Sequence, residues 1–177
     1  MHFLIGGNMP ILVIDPGDVL SAYVVFDIQQ EKPIEFGKIE NAKIMDVIDK
    51  WKNSTEKMVV EMMAAFGPAS ASLFDTCIWI GIFSERYGQN KTKLVFRKTY
   101  ITFLLGNPRA NDSHIRSYLI QRYGTPGKRM QKGNMLEGIK ADVWQALALS
   151  IYESDISTGR SFSGVSSFVK PVEEKLL

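Results

Sequence analysis

At 177 residues, with 45% of them hydrophobic, the chain has the length of one domain and enough apolar residues for a substantial core, which excludes a disordered polar chain. A formal net charge of +2 and a pI near 8.6 point by themselves to no particular partner. The single cysteine, Cys77, excludes an intrachain disulfide and a cysteine-built metal site and fits a reducing, cytoplasmic setting, and no apolar stretch reaches the roughly 18 to 20 residues of a membrane span.

The segment Met1 to Asn8 is apolar but has no basic leader or small-residue cleavage pattern, so it does not read as a signal peptide. Pro10 to Asp15 reads as a strand buried on both faces; after the Pro16-Gly17 turn, Ser21 to Ile28 and Pro33 to Ile39 complete an antiparallel meander. Ile44, Val47, Ile48 and Trp51 predict an amphipathic helix over Ala42 to Lys52. Lys57 to Met63 is again strand-like. Pro68 and Ser70 suit a helix start, and Ser72 to Tyr87 offers Leu73, Cys77, Ile80 and Phe83 to the sheet before Gly88 ends it. Lys93 to Tyr100, rich in β-branched and aromatic residues, is expected as a strand. Asp112 to Tyr123 is expected as a helix, Gly124 to Gly138 as a mobile loop and Ala141 to Tyr152 as the last helix. The composition then turns to Ser, Gly and Lys, so residues 10–152 are expected to form the domain and 153–177 a partly ordered tail. The order β-β-β-α-β-α-β-α-α predicts an α/β fold, a mixed sheet covered by helices.

Acids interrupt this apolar pattern at revealing places. Asp15 closes the run Ile11-Leu12-Val13-Ile14, Glu61 sits near the end of Lys57 to Met63, and Asp142 opens the last helix. Carboxylates at the tips of buried strands are costly unless a cation holds them, and two or three on separate elements suffice for a hard divalent ion when substrate phosphate completes the shell. Each has a plainer reading: Asp15 as organiser of the Pro-Gly turn, Glu61 as a solvent-facing edge residue, Asp142 as an acid favoured by the helix dipole.

Taken together, Val13-Ile14-Asp15-Pro16-Gly17, then Val59-Val60-Glu61, then Lys140-Ala141-Asp142-Val143-Trp144-Gln145-Ala146-Leu147-Ala148-Leu149 resemble the RuvC branch of the RNase H-like superfamily. These Holliday-junction resolvases carry an Ile-Asp-Pro-Gly strand end, a glutamate ending a later strand and an acid opening a final Ala/Leu-rich helix. The resemblance, over residues 10–152, implies an RNase H-like five-stranded mixed sheet flanked by helices. It implies that Asp15, Glu61 and Asp142 are catalytic metal ligands for two Mg²⁺ or Mn²⁺ ions, and that a homodimer cuts branched DNA. One departure is Gln145, where such resolvases usually place a second aspartate; its position three residues after Asp142 keeps it on the same helix face, where its amide oxygen can serve as a neutral ligand.

Residues 91–140 hold eleven Lys and Arg against two acids, the bias a polyanion-facing surface needs, although ordinary solvated helix faces also produce it. The lysines such resolvases place near the scissile phosphate do not align: Ile101 and Asp112 fall there, leaving Arg97, Lys98 and Arg109 as substitutes. His114 is a proton-transfer candidate or a helix-surface residue. Phe66, five positions after Glu61, matches a loop that in resolvases reaches the junction centre with an aromatic, where a base can stack on it; a core plug is the alternative. The dimer interface is expected on the apolar helices around Leu73 to Phe83 and Trp144 to Ile151. Two other classes compete with a nuclease: a junction-binding protein with weakened catalysis, motivated by Gln145, and an ATPase of the actin and sugar-kinase type, for whose second lobe the chain is too short. The departures in the basic residues suggest a divergent, phage-type resolvase.

Overall fold

The computed structural model describes residues 9–65, 67–124 and 134–160. Ile11, Leu12, Val13 and Ile14 have no solvent exposure at all, because the strand they form, β1 (Ile11–Asp15), is covered on both faces. It pairs antiparallel with β2 (Leu20–Asp27), which pairs antiparallel with β3 (Lys32–Glu40). On its other side it runs parallel to β4 (Met58–Met62), and β4 runs parallel to β5 (Thr92–Phe96). The five-stranded sheet has the order β3-β2-β1-β4-β5, the mixed sheet expected.

Strand alternation divides the core in two. Leu12, Ile14, Met58 and Val60 pack with Ile44, Val47 and Ile48 of α1 (Asn41–Trp51) and Ile80, Phe83 and Tyr87 of α2 (Ala71–Tyr87). Ile11, Val13, Ala22, Val24 and Val59 pack on the opposite face. Their partners are α3 (Arg97–Leu105), α4 (Asp112–Tyr123) and α5 (Val143–Thr158), whose Ala146 to Leu149 are fully buried. Among the described residues no helix is long and apolar enough to cross a membrane.

Three expectations are corrected. The strand expected over Lys93 to Tyr100 ends at Phe96, and the chain enters α3 at Arg97. Local β propensity from Thr99 to Thr102 is overridden because the helix drives Tyr100, Ile101 and Leu104 into the core as one face. In α2 the sheet-facing residues are Thr76, Ile80, Phe83 and Tyr87; Cys77 is exposed, and Phe74, Ile78 and Ile82 form an outward apolar stripe. The last helix continues two turns beyond Tyr152. Its polar residues there are buried because each acid meets bases: Glu153 receives Lys57 at 2.8 Å and Lys93 at 2.6 Å, and Asp155 is bound by both terminal nitrogens of Arg122 at 2.6 and 2.7 Å. Val143 to Ile151 of α5 are buried, so the dimer surface expected there is not exposed.

Candidate metal centre at the strand ends

The sheet register brings the acids together. Asp15 lies opposite Ala22, and Ala22 opposite Lys38; on the parallel side Ile14 is opposite Val60, so Asp15 and Glu61 follow each other at the carboxyl ends of the two central strands. Alternation puts Lys38, Ala22, Asp15 and Glu61 on the face that packs against α5.

The turn after β1 is built by other residues than Asp15. Gly17 N–H donates to Ser21 Oγ at 3.2 Å, Ser21 Oγ donates to Asn41 Oδ1 at 2.6 Å, and Asn41 Nδ2 donates to Gly17 O at 2.9 Å. A side chain at Gly17 would strike the Leu20 carbonyl, since a Cβ there lies 2.3 Å from that oxygen. Among the described residues the Asp15 carboxylate makes no hydrogen bond, so the turn-organising reading of Asp15 does not hold.

Glu61 is 5% exposed, which removes its reading as a solvent-facing edge residue. The Tyr100 hydroxyl donates to Glu61 Oε2 at 2.7 Å, and Arg97 Nη1 stands 3.9 Å from Oε1. Burial pushes the Asp15 carboxyl well above its ordinary range, the charges of Glu61 and Asp142 add to that, and Arg97 only partly offsets it. Glu61 is also pushed up by burial, against the hydrogen bond from Tyr100 and the charge of Arg97. Two carboxyls that resist ionisation thus lie side by side, an arrangement that a bound cation would stabilise.

Asp142 enters from above at the cap position of α5, its side chain making no capping bond. Ala141 before it is left-handed at φ 46°, a conformation costing a residue with a side chain about 1–2 kcal/mol and characteristic of functional sites. Asp142 Oδ2 is held 2.5 Å from Lys38 Nζ. One turn on, Gln145 is 6% exposed and its Oε1 is buried with no hydrogen-bond partner among the described residues. A buried amide oxygen beside an acid can serve as a neutral ligand to a cation. Asp142 and Gln145 line a hollow of about 300 Å³ with Asp112, Ser113, Arg116 and Trp144.

The donor set of carboxylates and an amide oxygen suits a hard divalent ion. Among the described residues no three acid, His or Cys side chains stand together as a closed metal-binding group as they lie, and Asp142 is the one turned aside, toward Lys38. The charge balance of Asp15 and Glu61 and the Gln145 oxygen fit a cation.

Of the basic candidates, Arg97 is the one inside the site: it hydrogen-bonds the Tyr100 hydroxyl at 3.4 Å and is ion-paired with Asp112. Asp112, which occupies a position where a lysine was expected, thus serves to hold Arg97. Lys98 is exposed on the rim of a second hollow, about 220 Å³, between Glu61, Arg97, Ile101 and Pro108; Arg109 is exposed on the loop before α4. Arg122 and Lys93 face inward to acids, so part of the basic surplus is internal. His114 closes a capping box with Asn111, each side chain accepting the other's backbone N–H at 3.2 Å, which makes it a structural residue of α4. Phe66 lies outside the described residues. Sequence reasoning missed Lys38, Tyr100, Ser21 and Asn41; their partners are distant in sequence, so only the register reveals them.

By sequence the chain matches no protein-family model and no curated protein. By structure it is similar to Thermus thermophilus RuvC in complex with a Holliday junction substrate, at 10% identity and a TM-score of 0.58 over 85% of this chain and 95% of that one. It is also similar to a second Thermus thermophilus RuvC structure, at 11% identity and a TM-score of 0.57, over 86% of this chain and 98% of that one. The fold is RuvC-like, as the resemblance at the three acids implied.

Proposed function

We propose that the protein is a divalent-cation-dependent endonuclease that cuts branched DNA, four-way junctions above all. The observation that carries this reading is the juxtaposition of Asp15 and Glu61 at the carboxyl ends of the two central strands, with the charge of Asp142 acting on Asp15, in a fold similar to that of a RuvC solved with a Holliday junction substrate. Asp15, Glu61, Asp142 and the Gln145 amide oxygen would hold Mg²⁺ or Mn²⁺. Bound there, the cation supplies a Lewis acid that polarises the phosphate and acidifies water. The chain's own residues do the rest. Tyr100 fixes the Glu61 carboxylate, Arg97 offsets charge on a phosphate brought to the acids, and Lys98 and Arg109 hold the flanking backbone. A junction has near two-fold symmetry, so cutting opposite strands calls for two sites, and the exposed Phe74, Ile78 and Ile82 of α2 supply a homodimer surface.

A second reading, a junction-binding protein without cleavage, is favoured by the neutral Gln145 and by the engagement of Asp142 with Lys38. The two separate when a labelled four-way junction and a matched linear duplex are incubated with the protein in Mg²⁺, Mn²⁺ or EDTA. Metal-dependent nicks in the junction alone support the nuclease; tight junction binding with no nicks in either metal supports the binder.

A further inference from the structure

We infer that Lys38 is a resident cation of this site, so that the centre takes one divalent ion rather than two. The inference rests on the metal-site reading above and specifies how that site is charged.

Lys38 does not reach Asp142 by chance of a surface pair. The register fixes it two strands from Asp15 in one row, Lys38 opposite Ala22 and Ala22 opposite Asp15. Ala22 carries nothing beyond Cβ, so no side chain walls the ammonium off from the acids. The Lys38 stem lies along the same face as Phe36, which packs against the core under α5. Its Nζ stands 2.5 Å from Asp142 Oδ2, the Lys38 side chain being 33% exposed and that of Asp142 49%.

The opposite side of Asp142 completes the picture. Gln145 contributes an oxygen but no charge, and that oxygen is buried and unpartnered beside Asp142. The site therefore presents the charges of Asp15, Glu61 and Asp142, with Arg97 balanced by Asp112. One divalent ion and one ammonium neutralise three carboxylates; two divalent ions with Lys38 in place would leave an excess positive charge in a partly buried site, which is unfavourable. Lys38 thus does for Asp142 what a second ion would do. The ion held by Asp15 and Glu61 remains.

The test counts ions without reference to cleavage. The protein is titrated with Mn²⁺ and the free-ion signal followed by electron paramagnetic resonance, for wild type, Lys38→Met, Lys38→Arg and Asp15→Asn, with circular-dichroism melts to confirm that each variant is folded. Wild type and Lys38→Arg are expected to bind one Mn²⁺ per chain, Lys38→Met two, and Asp15→Asn to lose the tight ion. Two ions on wild type, or one on a folded Lys38→Met, overturns the role of Lys38 while leaving the metal site standing. No saturable uptake by wild type overturns the metal site itself, and the inference with it.

Discussion

The Tyr100 hydroxyl donates to Glu61 Oε2 at 2.7 Å, joining the first turn of α3 to the end of β4 across the floor of the acidic site. Tyr100 is fully buried, and burial together with the charge of Glu61 pushes its phenol far above the ordinary range, so it remains a donor at any working pH. Tyr100→Phe keeps the ring and removes the donor, leaving Glu61 free to rotate. Loss of such an orienting bond typically costs about 10- to 100-fold in metal affinity or activity. The expected outcome is a fall of that size in junction-cleavage rate with junction affinity retained, read by single-turnover cleavage beside a gel-shift titration.

The raised carboxyls make a prediction about pH. A carboxyl whose folded value exceeds its unfolded one binds a proton in the folded state first. Stability then rises as pH falls through the folded value, and the penalty is complete above it. In EDTA, Asp15→Asn is expected to melt at a higher temperature than wild type at pH 8, and the gap to close as pH is lowered toward the ordinary carboxylate range. Thermal melts of the two proteins across that range measure it.

Arg122 anchors the end of the molecule away from the acids. It binds Asp155, which has no solvent exposure, and reaches Glu31 at 2.7 Å. Arg122→Met keeps much of the stem and strands a buried carboxylate, a change worth about 3–5 kcal/mol. The urea midpoint should fall accordingly, with no specific loss of Mn²⁺ uptake in the fraction that remains folded.

The outward stripe of α2 predicts an assembly. Ile78 is 59% exposed, with Phe74 and Ile82 a turn to either side. Ile78→Glu is expected to convert a dimer to a monomer in sedimentation velocity while leaving the melting temperature of the fold nearly unchanged, since the side chain makes no core contact to lose.

The central architecture was readable because hydrophobic period and acid placement agreed: four apolar residues end at Asp15, a second such run ends near Glu61, and an Ala/Leu-rich helix opens at Asp142. What stayed hidden has physical causes. Arg97 to Thr102 carries strand-favouring residues, and only packing of Tyr100 and Ile101 against the core makes it a helix. Glu153 and Asp155 read as the start of a polar tail, because the lysines and the arginine that let them bury lie from 33 to 96 residues away. Lys38 looks like any strand lysine until the register sets it in line with Asp15.

Asp15→Asn separates metal-dependent cleavage from DNA binding. Wild type and Asp15→Asn are compared on one labelled four-way junction in Mg²⁺, with binding and strand cleavage read from the same samples. The proposed role of Asp15 as a metal ligand predicts paired nicks by wild type, and for Asp15→Asn a junction affinity at least equal to wild type with no nicks. Cleavage by Asp15→Asn at the wild-type rate would contradict it.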